Sequence, residues 1–185
     1  MKMTKLIVIA IASCALLLSC KGKAAAGDKV YKIGVIQLVE HVALDASYQG
    51  FVDGLKEAGY ENGKNITIDF QNAQGEQANC QTIAQKLIND QDDLILAIAT
   101  PAAQAVANLT TTIPILVTAV TDPATAKLVK TNEAPGTNVS GTSDLTPVAA
   151  QMDLLKQLVP NVKTVAFLYF SREQNSKFQI DKAKN

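Results

Sequence analysis

Strands and helices alternate along this sequence, and the alternation predicts an α/β fold built on a doubly wound parallel sheet. Three observations carry that expectation. Short β-branched or apolar runs recur at residues 30–37, 66–70, 94–99 and 113–120. Amphipathic helical stretches fall between them. The run at 94–99 is continuously apolar and that at 113–120 is apolar on both faces, as strands covered by helices on both sides require. Connections between such strands are expected to be right-handed almost without exception.

Residues 30–37 (Val-Tyr-Lys-Ile-Gly-Val-Ile-Gln) open the series as a β-branched strand. Tyr48, Phe51, Val52 and Leu55 then follow helical spacing, with Asp45 as the expected N-cap and Gly59 as the expected stop. Gly50 and Gly54 lie one turn apart in that helix, each at a cost of about 1 kcal/mol relative to Ala, which close packing against the sheet would explain. Ile66, Ile68 and Phe70 alternate with Thr67 and Asp69 as a half-buried strand. Cys80, Ile83, Ala84, Leu87 and Ile88 share one helical face, so Cys80 reads as a small core hydrophobe. A helix over 101–109 separates the two apolar runs. A shorter strand is expected near 138–142, a helix over 147–159, a strand over 163–170 and a helix over 175–184.

The chain has 185 residues, 48% hydrophobic and 18% charged, with a formal net charge of zero. That composition supports a buried core, and its length suits one domain and the start of a second. Without a basic excess, nucleic acid is not an expected partner.

Lys2 and Lys5 precede a mostly apolar run over residues 6–18, followed by Ser19 and Cys20. At 1.5 Å per residue such a run is too short to cross a hydrocarbon core of about 30 Å, so residues 1–19 read as a signal peptide. Leu17-Leu18-Ser19-Cys20 resembles the bacterial lipobox, which makes Cys20 the expected acylated N-terminus and the route to the membrane. Cys14 would leave with the signal, so Cys80 would be the one cysteine of the folded part, with no intramolecular disulfide. Losing Lys2 and Lys5 leaves 15 basic against 17 acidic residues, a formal charge of −2. Residues 20–29 read as the lipidated cysteine and a small, polar tether. Asn65, Asn108 and Asn138 begin Asn-x-Ser/Thr triplets, read here as chance occurrences.

In an open parallel sheet a ligand crevice lies beyond the carboxyl ends of the strands. Those ends are followed by residues 37–44, by Thr100-Pro101-Ala102 and by Thr121-Asp122-Pro123. Thr100 and Asp122 each precede a Pro as N-cap and first helical residue should. Plain capping is one reading. The other gives Thr100 and the Ala102 and Ala103 amides to an acid group, and Asp122 to an ammonium.

Catalysis finds little support. The chain contains no Gly-x-Gly-x-x-Gly, no Gly-x-x-x-x-Gly-Lys-Ser/Thr, no Gly-x-Ser-x-Gly and no paired-His zinc motif. The single histidine, His41, cannot build a multi-His metal site, and Asp144 has no activated nucleophile beside it in sequence. No catalytic residue, metal or cofactor is expected.

Ile33-Gly34-Val35-Ile36-Gln37-Leu38-Val39-Glu40-His41, Leu44-Asp45-Ala46 and Gly50-Phe51-Val52-Asp53-Gly54-Leu55 resemble the start of the ABC-transporter substrate-binding lipoproteins related to tryptophan/tyrosine uptake. Gln71-Asn72-Ala73-Gln74-Gly75, Ala99-Thr100-Pro101-Ala102-Ala103-Gln104-Ala105, Val120-Thr121-Asp122-Pro123 and Asn138-Val139-Ser140-Gly141-Thr142-Ser143-Asp144 continue the likeness in order. The sequence departs from it at Val42, where the family usually has Pro, and at Tyr169-Phe170-Ser171-Arg172-Glu173, where it usually has a Tyr-Asn-Ser-Ser-Glu-like stretch.

The resemblance implies a type I periplasmic-binding-protein fold, with two α/β lobes closing on a small solute, often an aromatic amino acid. Delivery to a membrane permease and its ATPase is implied too. By that resemblance Gln37, His41, Thr100, Pro101, Ala102, Thr121, Asp122, Ser143, Asp144, Ser171 and Asn175 face the cleft. Residues 30–145 would form the first lobe, and 146–185 a crossover helix and the start of an incomplete second lobe. The expectation is therefore a fragment of an exported, monomeric lipoprotein, binding solute weakly by itself. The rivals are a surface-anchored α/β enzyme and a lipoprotein that recognises other proteins.

Overall fold

The structure is a computed structural model that describes residues 29–184. The expected signal peptide, Cys20 and residues 21–28 of the tether lie outside the described residues. Ten elements follow in order: β1 (Tyr31–Gln37), α1 (Val42–Glu57), β2 (Ile66–Asn72), α2 (Gln77–Asn89), β3 (Leu94–Ile98), α3 (Thr100–Ala107), β4 (Ile115–Val120), β5 (Val139–Ser143), α4 (Val148–Leu158) and α5 (Gln174–Lys184). The five strands form one sheet in the order β2-β1-β3-β4-β5, and every pairing is parallel.

Burial follows that order. Residues 33–37 of β1 are all buried, as are residues 95–98 of β3, because both strands have neighbours on each side and helices on each face. The edge strands β2 and β5 are largely exposed or half-buried. On one face Ile33, Val35, Leu96 and Ile98 meet Leu44, Tyr48, Phe51 and Leu55 of α1. On the other, Ile36, Ala97, Ile115 and Val117 meet α2 through Cys80, Ala84 and Leu87, and α3 through Ala102 and Val106. Moving from β1 to β2 and from β2 to β3 are steps in opposite directions, so crossovers of one hand place α1 and α2 on opposite faces.

The structure corrects several local expectations. Helix α1 begins one turn early: His41 is its N-cap, extended at φ −160° and ψ 136°, with Nδ1 accepting from the Ala43 amide at 3.2 Å. Asp45 is therefore a first-turn residue. Nothing stands within 4 Å of a Cβ placed on Gly50 or Gly54, so both face open space and do not pack against the sheet. Gly59 does follow the end of α1, at φ +87°. Asp122-Pro123 starts a single turn, with the Ala126 amide donating to the Asp122 carbonyl at 2.9 Å, and no α-helix follows. Lys127 turns to φ +60°, which a continuing helix cannot accommodate. Residues 163–170 form no strand, since no neighbouring strand among the described residues supplies a ladder. Val165, Leu168, Tyr169 and Phe170 of that segment are exposed.

Candidate functional site

The connection leaving β1 passes over one face of the sheet and the connection leaving β3 over the other. In a doubly wound sheet that divergence opens a crevice between the carboxyl ends of the two strands. Here the adjoining ends belong to Gln37, which pairs with Ile98, and to Thr100, two residues beyond Ile98. The backbone joins the two sides where the Leu38 amide donates to the Ile98 carbonyl at 3.2 Å.

Gln37 is fully buried. Its Nε2 donates to the Val39 carbonyl at 2.9 Å and to Asp45 Oδ1 at 2.7 Å, while Oε1 is buried without a partner. The end of β2 secures this loop, with the Ala73 amide donating to the Gln37 carbonyl at 2.8 Å and the Gly75 amide to the Leu38 carbonyl at 2.7 Å.

At the neighbouring strand end the chain turns from β3 into α3 within one residue. Ala99, at φ 82° and ψ 152°, is the N-cap, so Thr100 is the first helical residue and Pro101 the second. That shifts the cap one residue from the expected Thr100. The backbone region is one that glycine enters freely and alanine enters at a cost of about 1–3 kcal/mol. The Ala103 amide donates to the Ala99 carbonyl at 3.0 Å, which removes it from the amides expected to hold an acid group. Thr100, Pro101 and Ala102 are buried, and Thr100 Oγ1 is without a partner.

Strand β4 carries an irregularity between Val117 and Val120, where Ala119 adopts φ +53°. The bulge reverses the alternation, so that Val120 joins Val117 on the α2/α3 face. Thr121 follows, buried, and its carbonyl accepts from Ser143 Oγ at 2.7 Å. The Asp144 amide donates to the Val120 carbonyl at 3.0 Å, while Asp122 Oδ1 accepts from the Thr125 amide at 2.8 Å. Gly141 presses against the Val117 backbone so closely that a Cβ would collide with it.

The last helix reaches this same edge. Gln174 Nε2 donates to the Thr125 carbonyl at 2.8 Å, Gln104 Nε2 donates to Gln174 Oε1 at 3.0 Å, and Gln179 Nε2 donates to Thr121 Oγ1 at 3.3 Å. Asn175, beside Gln174, has a buried Oδ1 without a partner. The topology thus gathers Gln37, Thr100, Pro101, Ala102, Thr121, Asp122, Ser143, Asp144 and Asn175 along one edge. His41 is exposed and occupied with capping, and Ser171 is exposed in the turn before α5. Ala99, Gln104 and Gln179 escaped the sequence, because neither a backbone torsion nor a contact across 58 residues, such as Gln179 to Thr121, leaves a periodic signal, whereas Gln174 lies within the 171–175 loop expected at the cleft.

A pocket of about 330 Å³ opens at the opposite, amino edge, lined by Tyr31, Ile33, Leu55, Tyr60 and Leu94. It is apolar apart from Asp93, whose Oδ2 accepts from the Lys32 amide at 2.9 Å. Among the described residues, four buried side-chain polar atoms stand without a hydrogen-bond partner: Gln37 Oε1, Thr100 Oγ1, Asn175 Oδ1 and Asp92 Oδ2. Three of the four are on residues at the carboxyl edge.

Residues 32–185 match the family model of the ABC transporter substrate binding protein. The chain belongs to the ABC transporter substrate-binding protein family. A curated relative, the tyrosine-binding protein of Clostridioides difficile strain R20291, is 48% identical over 163 residues, which are 88% of this chain and 47% of that protein. A structure of an ABC domain from Streptococcus pneumoniae in complex with L-Trp is 46% identical and superposes with a TM-score of 0.80, over 84% of this chain and 52% of that one. A ligand-free, open substrate-binding protein with adhesive properties from Clostridium difficile is 55% identical, over 84% and 52%, with a TM-score of 0.69. The chain spans about half the length of these relatives. Their likeness joins the parallel sheet in assigning it the type I periplasmic-binding-protein fold.

Proposed function

We propose that this chain is solute-capturing machinery of an ABC importer, exported, anchored through lipid on Cys20, and delivering an amino acid to a permease and its ATPase without transforming it. An aromatic amino acid is the favoured solute. The observation that carries the reading is the set of buried, partnerless polar atoms on Gln37, Thr100 and Asn175, at the carboxyl edge and nowhere near the apolar pocket. Buried polar groups are almost always hydrogen-bonded, so a cluster left open at a strand-end crevice is what a polar ligand would complete. A tyrosine-binding relative and an L-Trp complex support the choice of solute.

In this reading the solute carboxylate rests on the Thr100 hydroxyl and the amino end of α3, where first-turn amides and the helix dipole favour an anion. Residues 30–145 are one lobe and α5 belongs to the second, approaching across Thr121 and Thr125. Ser143 and Asp144 fix the outer wall, and His41 and Ser171 line the mouth.

Thermal melts and calorimetry of the protein expressed from its complete reading frame, against L-Trp, L-Tyr and L-Phe with L-Lys and L-Glu as controls, test the proposal. A ligand at a hundred times its Kd stabilises the folded state by about 2.7 kcal/mol. The expected outcome is a raised Tm with an aromatic amino acid that is recovered unchanged. A solute consumed on incubation would favour an enzyme, and no shift with any amino acid would sink the reading.

A further inference from the structure

We propose that Gln37 reads the ammonium group of the bound solute through the one polar atom its own fold leaves unused. The inference rests on the solute-capture reading above and names the group that holds the amine.

A glutamine side chain offers two N–H donors and one carbonyl acceptor. Both donors are committed, to the Val39 carbonyl at 2.9 Å and to Asp45 Oδ1 at 2.7 Å. Neither of those oxygens can donate. Turning the amide over would set its own oxygen against two acceptors, so the network permits one orientation. Oε1 is then directed away from both, buried and without a donor, on a residue that is fully buried. A sheltered acceptor of this kind carries a standing cost that only an N–H or O–H brought from elsewhere can remove.

Position supplies the chemistry of that donor. Gln37 ends β1 and Thr100 begins α3, on the two sides of the point where connections diverge to opposite faces. The Thr100 side offers a hydroxyl and a helix amino end, suited to an anion. The one open atom of the Gln37 side chain is an acceptor. A molecule bearing a carboxylate and an ammonium on one carbon has this same polarity. Asp122, the sequence's candidate for the amine, is partly committed, with Oδ1 accepting from the Thr125 amide at 2.8 Å. Asp45 is a positioning residue in this scheme: exposed itself, it holds the Gln37 amide in register and has no contact with solute.

The test compares an amino acid that the wild-type protein binds with its desamino analogue, which keeps the side chain and carboxylate and lacks the amine. Both are titrated by calorimetry into the protein expressed from its complete reading frame. Gln37→Met keeps the length of the side chain and deletes the acceptor. It is expected to weaken the amino acid roughly 10- to 100-fold, the range of a hydrogen bond to a charged group, and to leave the desamino analogue within about twofold. Asp45→Ala, at an exposed position, is expected to erase part of the same discrimination, and Asp45→Asn, whose Oδ1 still accepts, to restore it. Equal weakening of both ligands, as a buried water on Oε1 would produce, overturns the proposal, as does unchanged discrimination in Gln37→Met or Asp45→Ala. If Gln37→Met does not fold, the Asp45 pair decides alone. A wild type that binds no amino acid sinks the solute reading and this one with it, whereas binding with untouched discrimination sinks only the role of Gln37.

Discussion

The carboxylate of Asp92 occupies the space that a side chain on Gly34 would need. Asp92 follows α2, Gly34 sits in the middle of β1, and a Cβ there would meet Asp92 Oδ2 and lie 3.0 Å from Leu87 Cδ2. A residue just before β3 therefore fills a hollow that the missing side chain of β1 creates.

Gly34→Ala is expected to cost about 1–3 kcal/mol, the usual penalty for overpacking a filled core. Asp92→Ala in the same chain should recover most of it, because the colliding carboxylate is gone. Urea melts of the two single variants and the double variant check this. Strict additivity would show that the two residues do not share the space.

Asp92 also makes stability depend on pH. Burial first, then the neighbouring Asp90 and Asp69 carboxylates, push its pKa up to about 6 from 3.8, against partial relief from Lys86 and Lys32. The folded state thus holds this proton more tightly than the unfolded chain. The stabilisation is fully present below about pH 4 and is lost as pH rises towards 6 and beyond. Wild type minus Asp92→Asn should therefore become less favourable by about 1–3 kcal/mol between pH 4 and pH 7.5. Denaturant melts at both pH values measure the difference, and a flat difference would contradict the assignment.

Thr100→Val should separate stability from capture. The Thr100 hydroxyl is buried without a partner, so an isosteric methyl costs the free protein nothing and is expected to leave it as stable or up to about 1 kcal/mol more stable. Affinity for a carboxylate-bearing solute should fall about tenfold. Loss of stability with intact affinity would assign the hydroxyl a structural role.

Gln104 and Gln174 hold α5 against the sheet edge across 70 residues of chain. A double-mutant cycle with Gln104→Ala and Gln174→Ala should give a coupling of about 0.5–1.5 kcal/mol in the stability of α5, read by amide exchange over residues 174–184. A coupling near zero would show that the Gln174 bond to the Thr125 carbonyl suffices.

The periodicity made the sheet legible. Residues 94–99 and, Thr118 apart, 113–120 are apolar because helices cover both faces of β3 and β4, and helical periodicity placed Cys80, Ala84 and Leu87 in the core. Burial raises the pKa of the Cys80 thiol, in keeping with its reading as a core hydrophobe. Helix starts were less legible. Asp45 has the right side chain for a cap, but a β1 ending at Gln37 and an extended His41 begin the helix sooner, which frees Asp45 to hold Gln37. Gly50 and Gly54 suggested close packing, yet among the described residues α1 is the helix packed on that face and both glycines stay open.

Side-chain periodicity and turn chemistry act over a few residues, and these local forces decide the succession β1 to β5, the parallel sheet and the strand ends that could carry a site, but not residues 163–170, where an expected strand forms none. Which strand ends become neighbours depends on crossovers that span 30 residues or so. Only in three dimensions does β3 come beside β1, so that Gln37 and Thr100 stand at adjoining strand ends. The strained turn at Ala99, the reversal of faces at Ala119 and the reach of Gln174 to Thr125 belong to the same level. A polar atom becomes partnerless only once distant segments have excluded water around it, and no single stretch of sequence encodes that exclusion.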